Sequence, residues 1–158
     1  MAATTLSGAI ISIGPATILD TLVGLEALTP YTPIGEAEDY GEVGDDSPLV
    51  TFASVGDGRI RNVKGARNAG SMTLVCARDP LDAGQQALVA AEKTKFQYAI
   101  KIELPDKPNP TGTNTFLYFR ALVASARNRM GTNDNVIRQV FTIAVNSQIF
   151  EDPATAGA

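Results

Sequence analysis

From Phe96 to Leu104 the side chains alternate, with Phe96, Tyr98, Ile100, Ile102 and Leu104 on one side and Gln97, Ala99, Lys101 and Glu103 on the other. A period of two marks a strand with one buried and one wetted face. It excludes a helix here, because the same residues would scatter around a helix axis. The period returns at 136–147, where Ile137, Phe141, Ile143 and Val145 oppose Arg138, Thr142, Ala144 and Asn146. Residues 115–127 predict a further long strand, joined to the last by a turn at 128–135. With 158 residues, the chain is long enough for one domain with its own core and too short for two ordinary ones.

Upstream, Leu49–Val55 and Arg59–Lys64 flank Asp57-Gly58, a pair favoured in hairpin turns whose central positions take positive φ. Ser71–Arg78 follows the Gly65–Gly70 turn, with Met72, Leu74 and Cys76 on one face, and the three segments read as an antiparallel meander. Residues 8–30 predict short strands at Ile10–Ile13 and Ala16–Leu19, broken at Gly14-Pro15. Pro30, Pro33 and Pro48 with Gly35, Gly41 and Gly44 leave no room for a regular element at 31–48, which reads as a long loop of the kind that is often functional, or disordered when alone.

The period changes once, over 79–92, which predicts the single helix. Asp79 can cap it with Pro80 at the first position, or Asp82 can cap it with Gln85 closing a capping box. Leu81, Ala87, Leu88 and Ala91 form its narrow apolar stripe. The expected fold is mainly β, a β-sandwich or barrel with one packed α-helix over 1–150, followed by a short mobile tail at 151–158.

Charge is distributed unevenly. Residues 1–58 hold 9 acidic and 0 basic side chains, and residues 59–158 hold 8 acidic and 13 basic ones, giving the net −4. An acidic balance argues against general nucleic-acid binding. The chain has no His, which removes imidazole triads and imidazole metal sites, and a single Cys, which removes an internal disulfide. Cys76 lies on an apolar face and reads as a core thiol. No stretch supplies the roughly 20 apolar residues of a spanning helix, and the apolar start lacks a basic leader region.

Three motifs invite chemistry. Gly65 to Gly70 has the spacing of a phosphate loop, but Ser71 stands where the Lys should be and a strand follows, so a turn is the better reading. Glu36, Glu38, Asp39, Glu42, Asp45 and Asp46 could hold a cation, yet their spacing is not that of an EF-hand loop. They could also be a solvated loop, or could dock on a basic surface of another subunit. Arg59, Arg61, Lys64 and Arg67 are the counter-surface on that reading, and otherwise charges that protect an edge strand. Asp79 and Asp82 would serve a small hydrolase only if they lay in a cleft, and capping explains both better. Several strands with few devices to blunt their edges point to pairing between copies, and an acidic face meeting a basic one closes into a ring if the rotation allows.

The stretches Gly56-Asp57-Gly58-Arg59 and Lys64–Gly70, then Asp79-Pro80-Leu81-Asp82-Ala83-Gly84-Gln85-Gln86-Ala87-Leu88, resemble the tail tube proteins of long-tailed bacteriophages. The D-x-x-D-x-G-Q-x-A-L helix start is the most specific part, and Phe119–Ser125 and Phe141–Val145 also fit. The resemblance covers about 8–150, and on it the chain is expected to lack the extra surface domain that some relatives append. It implies the phage tail tube fold and a structural virion protein, not an enzyme, with no cofactor or metal. It further implies homohexameric rings stacked into a tube, joined edge to edge as a barrel and assembled in the host cytoplasm.

The implied partners are the tape measure protein, a tail terminator, distal tail or baseplate proteins, and DNA in transit, with no membrane. On this reading the six acids and four bases above meet between subunits or rings. The lumen is lined either by Gln97, Ala99, Lys101 and Glu103 or by Arg138, Thr142, Ala144 and Asn146. A secretion-apparatus tube would share this architecture. The alternative from another class is a monomeric ligand-binding β-domain with an acidic metal or sugar loop.

Overall fold

A computed structural model of the protein describes residues 3–157. Met1, Ala2 and Ala158, the outer limits of the domain and tail expected from sequence, lie outside the described residues. An eight-stranded antiparallel sheet is built from β1 (Ile10–Ala16), β2 (Thr32–Pro33), β3 (Ala37–Asp39), β6 (Ser71–Ala77), β7 (Tyr98–Glu103), β8 (Phe116–Arg129), β9 (Arg138–Val145) and β10 (Phe150–Asp152). The order is β2-β1-β7-β8-β9-β6-β3, with β10 adding to β8. A separate two-stranded sheet holds β4 (Leu49–Ala53) and β5 (Ile60–Lys64). The helices are α1 (Leu22–Ala27) and α2 (Ala83–Glu92).

The alternation of the long strands places the core. Ile11 and Ile13, Met72, Leu74 and Cys76, Ile100 and Ile102, Phe119, Ala121 and Val123, and Phe141, Ile143 and Val145 form one buried cluster, closed by Leu88 and Ala91 of α2. Burial pushes the Cys76 thiol up to about 12, with Asp82 and Glu38 adding to the shift, so it stays a neutral core group.

The opposite face of β7 is not wet. Ala99, Tyr118 and Leu25 form a second buried cluster under α1, and Phe96 lies outside the strand and is exposed. The helix was not expected: it is one short span, capped by Thr21 accepting from Gly24 N at 3.1 Å. Tyr31 donates from its hydroxyl to Leu25 O, and burial with Tyr118 nearby raises that hydroxyl to about 12.

Several boundaries differ from the expectation. Gly14-Pro15 does not end β1; the strand passes through them with a register shift against β7 between Ile13 and Ala16. A bulge accommodates a proline in a strand, and Gly14 is needed because a Cβ there would sit 2.7 Å from the Tyr31 ring. Ala16–Leu19 is not a second strand. Residues 31–48 are not a featureless loop, since β2 pairs with β1 and β3 with β6.

The meander does not exist either, because β4 and β5 pair only with each other and β6 joins the main sheet beside β9. In the hairpin turn only Gly58 takes positive φ, at 62°. Asp57 instead accepts from Arg59 N at 3.0 Å and pairs with Arg61. Residues 151–157, expected to be mobile, are docked. Phe150–Asp152 pairs with β8, Thr155 bridges Thr113, and Gly157 N donates to Asn109 Oδ1 at 3.0 Å.

At the start of α2 the alternatives resolve. Asp82 caps, accepting from Gln85 N at 2.9 Å, while Asp79 only closes a local turn onto Leu81 N at 3.0 Å. Gln85 does not close a capping box. Its buried amide accepts from Asp79 N at 3.0 Å and donates to Gly35 O at 3.1 Å and Ala77 O at 3.0 Å. Leu81 is 87% exposed and leaves the stripe, whose buried members are Leu88 and Ala91.

Candidate assembly surfaces

The hairpin β4–β5 is an arm. Every residue of both strands is exposed, with Val50 opposite Val63 on one face and Ala53 opposite Ile60 on the other. Phe52 is 49% and Ile60 71% exposed. A lone two-stranded hairpin is marginal in water, and apolar side chains on both faces give it no reason to stand free. In the sequence the bases beside them mask these apolar residues. The available signal was the valines and isoleucine on both sides of the turn without a clean period of two. Of the bases, Arg61 pairs with Asp57 inside the arm, and Lys64 lies opposite Leu49. Arg59 donates its backbone N–H to Asp57, whose carboxyl this bond and the Arg61 guanidinium hold below the usual carboxylate range.

The acidic run does not converge on a point. Glu36, at φ 56°, turns the chain and its carbonyl accepts from Ala77 N at 2.9 Å. Glu38 pairs with Arg138 at 2.7 Å. Asp39 accepts from Gly41 N at 2.8 Å, and Glu42 is exposed. Asp45 pairs with Arg67 of the same chain, and Asp46 exchanges backbone hydrogen bonds with Asn68, both 2.8 Å. Among the described residues no group of three acidic, thiol or imidazole side chains could hold a metal ion. The run is strung along the outer edge of β6, and Arg67 is already engaged within the chain.

The two candidate lumen faces fare differently. On β7, Lys101 Nζ stands over the rings of Tyr31 and Phe116 at 5.4 and 5.2 Å, a cation–π arrangement. Glu103 lies opposite Ile10 and Phe116, and Gln97, whose buried Oε1 finds no hydrogen-bond partner among the described residues, precedes the strand. This face is filled in its middle by α1. On β9 the face is open and small. Thr142 lies between Thr73 and Ser125, and Ala144 between Ser71 and Leu122. Arg138, at one end, is held by Glu38, and Asn146, at the other, donates its backbone N–H to Arg120 O at 2.9 Å.

Both sheet ends are blunted, contrary to expectation. β2 is two residues long and carries Pro33, and β6 is flanked by β3 and the acidic segment. Short or proline-bearing edge strands resist uncontrolled pairing. Among the described residues no helix is long and apolar enough to cross a membrane.

The family model described as phage tail tube protein, TTP, matches residues 20–150. No curated protein matches the chain by sequence. Among solved structures, the chain is similar to one from the baseplate of the anti-feeding prophage, at 12% identity and a TM-score of 0.67, covering 97% of this chain and 98% of that one. It is also similar to the SPP1 tail tube, at 13% identity and a TM-score of 0.64, covering 94% and 80%. A chain from the tail of an empty GTA particle matches at 12% identity and a TM-score of 0.61, covering 94% and 98%. At such identities these likenesses establish the fold.

Proposed function

The chain belongs to the phage tail tube protein family, structural components of the virion tail, and from that premise we propose that it polymerises as hexameric rings stacked into the tube of a long-tailed, siphophage-type particle. The observation that carries this reading is the arm at 49–64: two exposed strands with apolar side chains on both faces, which a second copy would bury. The role is structural rather than catalytic. Assembly takes place in the host cytoplasm, with the tape measure protein inside the growing tube and terminator and distal tail proteins at its ends. The similar structures come from a baseplate and from tail tubes, which supports self-assembly into a tube that meets a baseplate.

The channel wall is assigned to the open face around Thr142 and Ala144 rather than to the β7 face. A tube that passes DNA must not hold it, and each basic contact to phosphate adds salt-dependent affinity. The rows Thr73–Thr142–Ser125 and Ser71–Ala144–Leu122 carry no charge, and the bases of this face, Arg127 opposite Val140 and Arg129 opposite Arg138, stand at its far end, where Glu38 pairs with Arg138; on β7, Lys101 stands in the middle of the strand over two aromatic rings. The alternative of a monomeric domain with an acidic metal or sugar loop loses its support, because the acids are spread along a strand edge and two are paired with arginines.

Sizing chromatography with negative-stain electron microscopy of the purified protein tests the proposal. Sixfold rings or tubes are expected. A protein that stays monomeric at high concentration, and in the presence of preformed tail tips, overturns it.

A further inference from the structure

The ladder between β6 and β9 leaves one side of β6 facing outward. Val145 N donates to Gly70 O at 2.9 Å, so alternate residues from Gly70 face β9, and Ser71, Thr73, Val75 and Ala77 face the edge. Along that edge runs the segment 36–46, antiparallel to β6 but irregular. Ala77 N donates to Glu36 O, Ala37 lies opposite Cys76, and the register shifts before Asp39 reaches Val75. Gly41, at φ 68°, passes so close to Thr73 that a Cβ would lie 2.9 Å from its carbonyl oxygen. The segment is tied down again where Asp46 pairs with Asn68. Between the two ties Ser71 and Thr73 make no backbone hydrogen bond on this side, among the described residues. The ion pairs that help hold the segment, Glu38–Arg138 and Asp45–Arg67, lie at the surface, where water and salt weaken them.

We infer that residues 36–46 are a removable cover over the free edge of β6, and that in the assembled tube a strand from the arm of a second copy takes their place. This rests on the tube reading above and adds to it the site of the joint and its control. An open edge offers backbone groups to any extended chain. The arm supplies such a chain: β4 and β5 are five residues each and pair only with one another, so each has an unused edge.

Charge favours the exchange. The cover holds six acids and no base, and the arm segment 49–64 holds Arg59, Arg61 and Lys64 against Asp57 alone. Once lifted, the cover is next to the incoming bases. In a free subunit the tethered cover outcompetes an arm arriving from solution. In a ring, where the neighbour's arm is held close, the advantage is lost. Free subunits are thereby kept from joining before a ring is started.

The substitution Ala37→Cys tests this, because position 37 faces native Cys76 across a directly opposed pair flanked by the Glu36–Ala77 hydrogen bond. Such opposed pairs approach within disulfide range. Oxidised with diamide, the variant should fail to form tubes, and reduction should restore them; oxidised subunits that assemble as fast as reduced ones overturn the inference. Failure of the wild type and the reduced variant to form tubes would instead sink the tube reading itself.

Hydrogen exchange on the wild-type protein gives a second measurement that needs no bond to form. The Ser71 and Thr73 amides should exchange about tenfold more slowly in tubes than in subunits. Unchanged exchange at both, in tubes that do form, overturns the inference.

Discussion

Gly84 has no room for a side chain. A Cβ would sit 2.6 Å from Ile34 Cα and closer still to the Pro33 carbonyl oxygen, so Gly84→Ala should cost about 2 kcal/mol in urea unfolding, as overpacking does. Gln85→Ala should cost about 3 kcal/mol in the same measurement, because it strands Gly35 O, Ala77 O and the Asp79 amide in a buried place. The lettered positions of D-x-x-D-x-G-Q-x-A-L thus lock α2 to the segment at 33–35 and to β6, with Asp82 also accepting from Gly35 N at 3.1 Å. The motif was visible as a helix start. Its partners were not, since Gly35 lies fifty residues from Gln85 and nothing local announces the contact. Asp106 offers a pH test. It accepts from Thr115 N at 2.8 Å and from the Thr115 hydroxyl at 2.7 Å, and the backbone bond first, then the hydroxyl, lowers its pKa from 3.8. With the folded value below the unfolded one, the stabilisation is present above the ordinary carboxylate range and is lost as the pH falls through the folded value. The stability gap between wild type and Asp106→Asn should therefore narrow as the pH falls through and below the ordinary carboxylate range.

Among the elements, β9 was legible because one buried face imposes a period of two, and β7 because its large apolar side chains keep that period although Ala99 on the other face is buried too. Phe141, Ile143 and Val145 are buried as that period requires. α1 was not legible, since six residues with a central glycine give too little period to read; it exists because Leu25 fills the second cluster. The strands at 32–33 and 37–39 were hidden by the prolines and acids around them, and tertiary pairing overrode those local signals. Chain order suggests a meander that includes the two arm strands, whereas the arm forms its own two-stranded sheet apart from the main one. Its exposure gives a separable prediction. Phe52→Asp with Ile60→Asp should leave subunit stability within about 0.5 kcal/mol by thermal unfolding, because neither side chain is in the core. The same pair should abolish tube formation in sedimentation. A double variant that still polymerises would remove the arm from the assembly contacts.

For the whole molecule, the β-rich class followed from alternation, and the structural family from short motifs spread across the chain. The choice of wall did not follow, because which wet face stays open depends on where α1 lies. If the open face lines the channel, Thr142→Arg should still allow tubes to form but make them retain DNA at low salt and release it as salt rises, measured by co-sedimentation. The arm also has a mechanical meaning. Its two chain crossings lie side by side where Gly65 N donates to Pro48 O at 2.7 Å, and beyond that bond only the arm's own ladder stiffens it. Copies clipped together through such a narrow root would flex there before any sheet is strained. A long filament of them would bend by many small rotations shared among its joints, and its bore would stay round while its axis curves.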